Sequence, residues 1–241
     1  MSAAVTTERM AGASPRRMAR IAGLLYLIGS VAGAFGILYG PSIVVAGDAS
    51  ATAKHILASE SLFRLSIVSA LLDQIIFVFV VLALYQVLKP VNKNMAVLMV
   101  IFLLLGVPIA MLNELNNVAV LLLLNGAHYV TVFTPDQVHA LVSLFLDLHA
   151  LGLDIFFAIG LWFFPMGYLV FTSGFLPRIL GVLLLINGFS YLIQSFAALL
   201  LPNLNVNTVQ FTGWVEVVFA LWLVIRGVNV ERWEKRARES A

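Results

Sequence analysis

The sequence predicts an all-α membrane protein, a polytopic bundle of six transmembrane helices whose termini both lie in the cytoplasm. Of the 241 residues 61% are hydrophobic and only 11% are charged. A soluble domain is nearer one half apolar and one quarter charged. Six apolar runs are long enough to cross the hydrocarbon core, which takes about 20 helical residues. Lysine and arginine are concentrated on one side of these runs, and this asymmetry predicts their orientation.

The six predicted spans leave little of the chain outside the membrane. They cover residues 21–39, 64–88, 95–124, 137–171, 178–200 and 208–229. A cytoplasmic tail (1–19) and a basic cytoplasmic extension (231–241) flank one transmembrane domain (20–230). The first apolar run has 19 residues, longer than the roughly 7–15 of a signal-peptide core, so we expect it to be retained as a span.

Proline, threonine and glycine mark the ends of several spans. Thr134, Pro135 and Gln137 have the pattern of an N-cap, a first-turn proline and a capping box, which predicts the start of the fourth span. Gly126 predicts the end of the third span, because glycine readily adopts the conformation that terminates a helix. Pro177 predicts the start of the fifth span.

Two spans are longer than the bilayer requires, and two flanking segments have structure of their own. We expect kinks at Pro108 and Pro165, where a backbone donor is missing inside a helix. The outer loop of residues 40–63 predicts a short surface helix. The basic segment 231–236 is expected to extend the sixth helix into the cytoplasmic interface, where anionic headgroups attract Lys and Arg.

The positions of Lys and Arg predict the orientation in the cell membrane. With the N-terminus inside, 12 of the 14 Lys and Arg residues face the cytoplasm, and only Lys54 and Arg64 lie outside. Because this charge flanks the spans, the expected partner is the lipid bilayer and not nucleic acid. The chain has no cysteine, which excludes disulfides, thiolate metal sites and cysteine nucleophiles.

Four carboxylates lie at nearly one depth within the predicted spans. Asp73, Glu114, Asp147 and Glu216 are each 8–10 residues from the outer end of a different span. Asp154 lies deeper in the same span as Asp147. Because an ionisable group in hydrocarbon is costly, such groups usually face the bundle interior or a cavity. We therefore predict that the four converge on one pocket that opens outward between spans two, three, four and six.

Amide side chains accompany these acids. Asn113 and Asn117 flank Glu114, and Asn187 and Gln194 are seven residues apart, on one face of the fifth span. Together with the five acids they are the candidate ligand-binding residues.

Three functions remain open for this polar layer. Protonated acids that hydrogen-bond between helices would make it structural. A hydrated pocket would bind or carry a small cationic or protonatable solute, or a lipid, because five acids lie in the spans without an intramembrane Lys or Arg. An intramembrane enzyme using carboxylates, with or without a metal, is the third. HExxH, GxSxG and phosphate-binding glycine motifs are all missing from the sequence, so we predict no metal or other cofactor and favour a non-enzymatic role.

Glycines of the first span predict close helix packing. Gly29 and Gly33 have GxxxG spacing, and small residues four apart let helix backbones approach closely in lipid. We expect this stripe to pack within the chain, with a dimer interface as the alternative.

Five segments together resemble a known bacterial family. They are RIAGLLYLI (20–28), LASESLFR (57–64), ALYQVLKPVNK (83–93), NELNN (113–117) and GFLPRILG (174–181). In these segments and their order, over roughly 20–225, the chain resembles the bacterial domain-of-unknown-function family 4386. The resemblance implies a multi-pass protein of the bacterial inner membrane and implies no activity or catalytic residue.

Overall fold

The chain is helical throughout the part that the computed structural model describes, which is residues 14–126, 128–154, 160–201, 203–204 and 206–240. The helices are α1 (Pro15–Ser42), α2 (Ala49–Ala58), α3 (Glu60–Leu88), α4 (Lys93–Leu124), α5 (Pro135–Asp154), α6 (Phe163–Thr172), α7 (Arg178–Leu200), α8 (Val209–Thr212), α9 (Trp214–Ile225) and α10 (Val230–Glu239). A 3-10 turn (His128–Val132) precedes α5. No strand occurs in these residues, which confirms the all-α prediction.

Four helices are each long and apolar enough to cross a membrane, namely α1 (over Pro15–Gly40), α3, α4 and α7. A fifth candidate is the bent pair Val209–Ile225 and Val230–Glu239. The four single helices correspond to predicted spans one, two, three and five. The structure thus confirms an all-α chain with several apolar helices of membrane-spanning length.

The other two predicted spans are each divided. The fourth occurs as α5 and α6, with residues 155–159 between them outside the described residues. The sixth occurs as α8 and α9, with Gly213 between them. The predicted N-terminal tail overlaps the start of α1 at Pro15, and its residues 1–13 are likewise outside the described part.

Polar side chains cap the N-termini of two helices at the positions that the sequence predicts. The Gln137 amide N–H donates to Thr134 Oγ1 at 3.3 Å, and the Thr134 N–H donates to Gln137 Oε1 at 2.9 Å. This reciprocal pair confirms the capping box at the start of α5. The surface helix predicted in the loop 40–63 is α2, and Asp48 Oδ1 caps it by accepting from the Ala51 N–H at 2.8 Å.

The two prolines predicted to cause kinks occupy different positions. Pro108 lies inside α4, which continues through it. Pro165 is the third residue of α6, where a backbone N–H has no partner within the helix in any case. The helix is interrupted at Trp162, in the turn before Pro165, where the missing backbone donor of this proline was expected to disturb it.

The glycine stripe of α1 packs against α3 within the chain. A methyl group built on Gly33 would lie 3.0 Å from Asp73 Cγ, and one on Gly36 would lie 2.9 Å from Ala70 Cβ. The Ser69 hydroxyl adds a hydrogen bond of 2.8 Å to the Ala32 carbonyl. These contacts confirm intramolecular packing as the use of the predicted glycine stripe.

The segment after α9 turns sharply, so the prediction that it extends the sixth helix is wrong. Gly227 has φ +64°, a conformation that ends a helix, and Asn229 caps α10 by accepting from the Arg232 N–H at 3.1 Å. The helices on either side are bent by 98°. α10 is bound to the bundle by the Trp233 indole N–H, which donates to the Val87 carbonyl at 2.8 Å.

Several chain segments meet beside α10, at what we call the basal end of the bundle. It is defined by Arg16 of α1, Val87 of α3, Gly174 after α6 and Gly227 after α9. Arg232 donates to the Gly174 carbonyl at 3.1 Å, and Arg16 Cγ lies 3.0 Å from where a Cβ on Gly227 would be. The described start and end of the chain therefore share one end of the bundle.

Candidate functional site

A cavity of about 300 Å³ lies among α1, α3, α4, α7 and α9. Three of the predicted acids, Asp73, Glu114 and Glu216, line it. Most of the remaining lining is apolar, including Phe77 and Trp162. The structure thus brings together carboxylates from α3, α4 and α9, and α1, α7 and Leu153 of α5 complete the wall. The predicted pocket included the span that contains α5 but included neither α1 nor α7.

Glu216 is held by hydrogen bonds from two other helices. The Tyr26 hydroxyl of α1 donates to Glu216 Oε2 at 2.8 Å. From α7, the Tyr191 hydroxyl donates to Oε1 at 3.1 Å and Asn187 Nδ2 donates to the same oxygen at 3.2 Å. These three hydrogen bonds connect Glu216 of α9 to both α1 and α7.

Two buried oxygens near Glu216 accept no hydrogen bond from the described residues. They are Asn187 Oδ1 and Thr212 Oγ1. Asn187 is fully buried and its Nδ2 is bound to Glu216, while Thr212 precedes Glu216 by one helical turn. Buried polar atoms are usually paired, so these two add unused hydrogen-bonding capacity beside the carboxylate.

Asp73 lies at the close contact between α1 and α3. Its Oδ2 accepts from Gln74 Nε2 at 3.0 Å, and its carboxyl group faces Gly33. A larger residue than glycine at position 33 would occupy the space of this carboxyl group. The GxxxG stripe therefore makes room for an acid as well as for a close helix contact.

Glu114 pairs with a histidine of another helix. His149 Nε2 lies 2.9 Å from Glu114 Oε1, and Asn117 Nδ2 donates to Oε2 at 3.0 Å. Glu114 is only 7% exposed. Asn113 reaches α5, where its Nδ2 donates to the His149 carbonyl at 3.0 Å and its Oδ1 faces Gly152. Glu114 and Asn117 thus join at the α4–α5 interface, and Asn113 packs there without lining the cavity.

Asp147 does not join the other acids, contrary to the prediction. Its side chain is exposed and does not line the cavity. His149 faces Glu114, and two residues along a helix correspond to a rotation of about 200°, so Asp147 points away from α4. Asp154 ends α5, and its side chain lies outside the described part of the chain.

Gln194 supports the loop that leads into α8. Its Oε1 accepts from the Val209 N–H at 3.1 Å. The Thr208 hydroxyl beside it donates to the Ser190 carbonyl at 2.6 Å. Gln194 therefore binds the start of α8 to α7 and does not line the cavity.

Reasoning from the sequence missed Tyr26, Tyr191 and His149 as members of the site. Tyr191 follows Asn187 by one helical turn, so it lies on the same polar face of the fifth span, and this position could have identified it. His149 is the only histidine deep within a predicted span, which is a sequence signal for it. Tyr26 stands in an apolar run in which Ser30 is the only polar neighbour one turn away, so the sequence marks it weakly.

Among the described residues, no three His, Cys, Asp or Glu side chains come close enough together to hold a metal ion. Comparison with curated proteins and with solved structures finds no match. A protein-family model, Domain of unknown function (DUF4386), matches residues 21–227. This match extends over most of the chain, from the first helix to the turn before α10. The chain belongs to the family Domain of unknown function (DUF4386).

Proposed function

We propose that this chain is a six-span protein of the bacterial inner membrane whose cavity opens outward and binds or carries a small cationic or protonatable solute. The observation behind the proposal is the charge of the cavity lining. Asp73, Glu114 and Glu216 belong to it, and no Lys or Arg of the described residues does. Carboxylates in apolar surroundings attract positive charge more strongly than carboxylates in water.

The apolar lining favours an organic cation over a bare metal ion. Phe77, Trp162 and Tyr191 line the same cavity as the acids. The faces of aromatic rings attract cations, by about 2 kcal/mol where water is excluded. A hard cation such as Ca²⁺ instead needs six to eight oxygen ligands close together. An amine or another small organic cation is the ligand that this combination of groups suits best.

The arrangement of helix ends supports six crossings with both termini on one side. The start of α1, the end of α3, the end of α6 and the end of α9 meet at the basal end, through Arg16, Val87, Gly174 and Gly227. The end of α4 is paired with the start of α3 at the opposite end, where Asn125 Nδ2 lies 3.4 Å from Glu60 Oε1. The chain between α4 and the end of α6 therefore runs from one end of the bundle to the other.

Reporter fusions test this topology. Because 12 of the 14 Lys and Arg residues flank the proposed inner ends, reporters at both termini should be active only in the cytoplasm. A reporter in the loop 125–134 should be active only outside. An N-terminal reporter that is active outside would contradict the proposed orientation, and opposite locations for the two termini would contradict six crossings.

A structural role for the acids is the competing proposal. It is favoured by the hydrogen bonds that Asp73, Glu114 and Glu216 already accept from neighbouring side chains. Polar groups often bind helices together in membranes, typically by about 0.6 kcal/mol for each pair. In that case the cavity would have no ligand, and cations would not stabilise the protein beyond the effect of salt.

Thermal unfolding of the purified protein in lipid nanodiscs distinguishes the two proposals. The probe is ethylammonium chloride, with ethanol as the neutral control and sodium chloride as the salt control. At 100 times its dissociation constant a ligand stabilises the folded state by about 2.7 kcal/mol. For a chain of this size each kcal/mol raises the melting temperature by about 2–4 °C.

Two carboxylate-to-amide variants complete the experiment. E216Q neutralises an acid that lines the cavity, whereas D147N makes the same change at an exposed acid that does not line it. Stabilisation by ethylammonium in the wild type and D147N, with a loss of at least tenfold in affinity in E216Q, supports a cation site. Equal responses in all three proteins, or no response in any, would favour the structural role.

A further inference from the structure

We infer that the cavity has a side opening between α1 and α9, and that its ligand is an amphiphilic amine that enters from the bilayer. The side opening is defined by Ala34 and Ile37 of α1, Val217 of α9, and Gly213 at the start of α9. This inference rests on the proposed function and adds the shape of the ligand and its route to the site.

The helices α1 and α9 are in close backbone contact on the basal side of Glu216. A Cβ on Gly23 would lie 2.7 Å from the Ala220 carbonyl oxygen, so the two backbones almost touch there. One turn further along α1, Tyr26 hydrogen-bonds to Glu216. Among the described residues, no hydrogen bond joins α1 to α9 beyond this one toward the opposite end of the bundle.

Beyond Tyr26 the two helices follow different neighbours. α1 stays against α3 through Gly33 and Gly36. The segment before α9 is bound to α7, because Thr208 donates to the Ser190 carbonyl and Val209 donates to Gln194. Beyond Glu216, α1 and the segment before α9 are therefore held by different neighbouring helices.

Three side chains on this part of α1 and α9 line the cavity and are also exposed on the outer surface of the bundle. Ile37 is 49% exposed and Val217 is 42% exposed, and both line the cavity. Ala34 is also exposed and lines it. It lies six residues before Gly40, or about 9 Å inside the end of the first candidate span at 1.5 Å per residue. Ala34 therefore lies within the hydrocarbon region, and Ile37, three residues from Gly40, lies nearer to its edge.

The chemistry inside the opening suits an ammonium group attached to an alkyl chain. Glu216 and Asp73 line the cavity and supply carboxylate oxygens, which accept hydrogen bonds. An ammonium group offers three donors and no acceptor. An alkyl chain extending past Val217 stays in lipid, which avoids a loss of about 0.8 kcal/mol for each CH₂ group that would otherwise enter water.

Two adjacent valines of α9 provide a matched test. Val217 lines the cavity, whereas Val218 is 37% exposed and does not line it. V217W narrows the side opening, and V218W places the same bulk outside it. V217F and V218F are a milder pair in case tryptophan impairs folding. Thermal unfolding in nanodiscs is followed with dodecylammonium, with dodecanol as its neutral counterpart, and with ethylammonium, which can reach the acids from water.

The result expected is that dodecylammonium stabilises the wild type and V218W, while its apparent affinity falls at least tenfold in V217W. Ethylammonium should bind all three within about threefold, and dodecanol should stabilise none of them. Equal responses of V217W and V218W to dodecylammonium, with ethylammonium still bound, would overturn the side opening and leave the cation site standing. A wild type that neither amine stabilises would overturn the cation site and this inference together.

Discussion

Removing the Tyr26 hydroxyl is expected to destabilise the protein more than removing the Tyr191 hydroxyl. Among the described residues Tyr26 alone donates to Glu216 Oε2, whereas Oε1 accepts from both Tyr191 and Asn187. Y26F would leave Glu216 Oε2 without a donor in a part-buried contact, beside the fully buried ring of residue 26. A buried group left unpaired costs about 1–3 kcal/mol, so we expect about 2 kcal/mol for Y26F. Y191F should lower the unfolding free energy by about 1 kcal/mol, because Asn187 still donates a hydrogen bond to Oε1.

The unfolding free energy can be measured by reversible denaturation in mixed micelles, followed by circular dichroism. Both substitutions keep the aromatic ring, so the packing of Tyr26 against Phe77, with ring centroids 5.0 Å apart, is retained. In an E216Q background the cost of Y26F should fall by about 1 kcal/mol, because a hydrogen bond to a neutral amide is weaker than one to a carboxylate. A larger effect of Y191F than of Y26F would refute the reasoning from the unequal supply of donors.

Three further outcomes follow from contacts in other parts of the molecule. Gly23→Ala should destabilise by about 1–3 kcal/mol because its methyl group would meet the α9 backbone, whereas Gly40→Ala, with open space around it, should be neutral or stabilising in the same unfolding measurement. His149→Leu should destabilise by about 1–3 kcal/mol by removing the partner of Glu114, and His149→Gln should recover part of that loss. Trp233→Phe removes the donor to the Val87 carbonyl, so amide hydrogen exchange in α10 should become about fivefold faster or more, while exchange in α4 stays unchanged.

Helix positions could be predicted largely because their signals are local. Lys and Arg flank the spans, and Thr134 and Gln137 form a capping box with partners three residues apart. Gly227 and Asn229 carried an equally local signal for the turn before α10, since glycine ends helices and asparagine caps them. The basic residues that follow α9 instead led to the prediction that the sixth helix continues through this turn.

The membership of the site was harder to predict because it depends on how each helix is rotated. Counting residues gives the depth of an acid at 1.5 Å per residue, and depth grouped Asp73, Glu114 and Glu216, which line the cavity, with Asp147, which does not. Each residue also turns the helix by about 100°, and an apolar span has no periodic pattern that shows which face is inside. Depth therefore could not show that His149, and not Asp147 at nearly the same depth, is the residue of α5 that faces Glu114.

The hydrogen bonds of α10 connect two separate parts of the basal end of the bundle. One short helix bridges the end of α3, through Trp233, and the turn after α6, through Arg232. Any motion that separates α3 from α6 must break one of these two hydrogen bonds or move α10 together with one of the two helices. Because Asp73 lies on α3, a force applied to the C-terminal helix would be transmitted along that helix toward the carboxylates near the centre of the bundle.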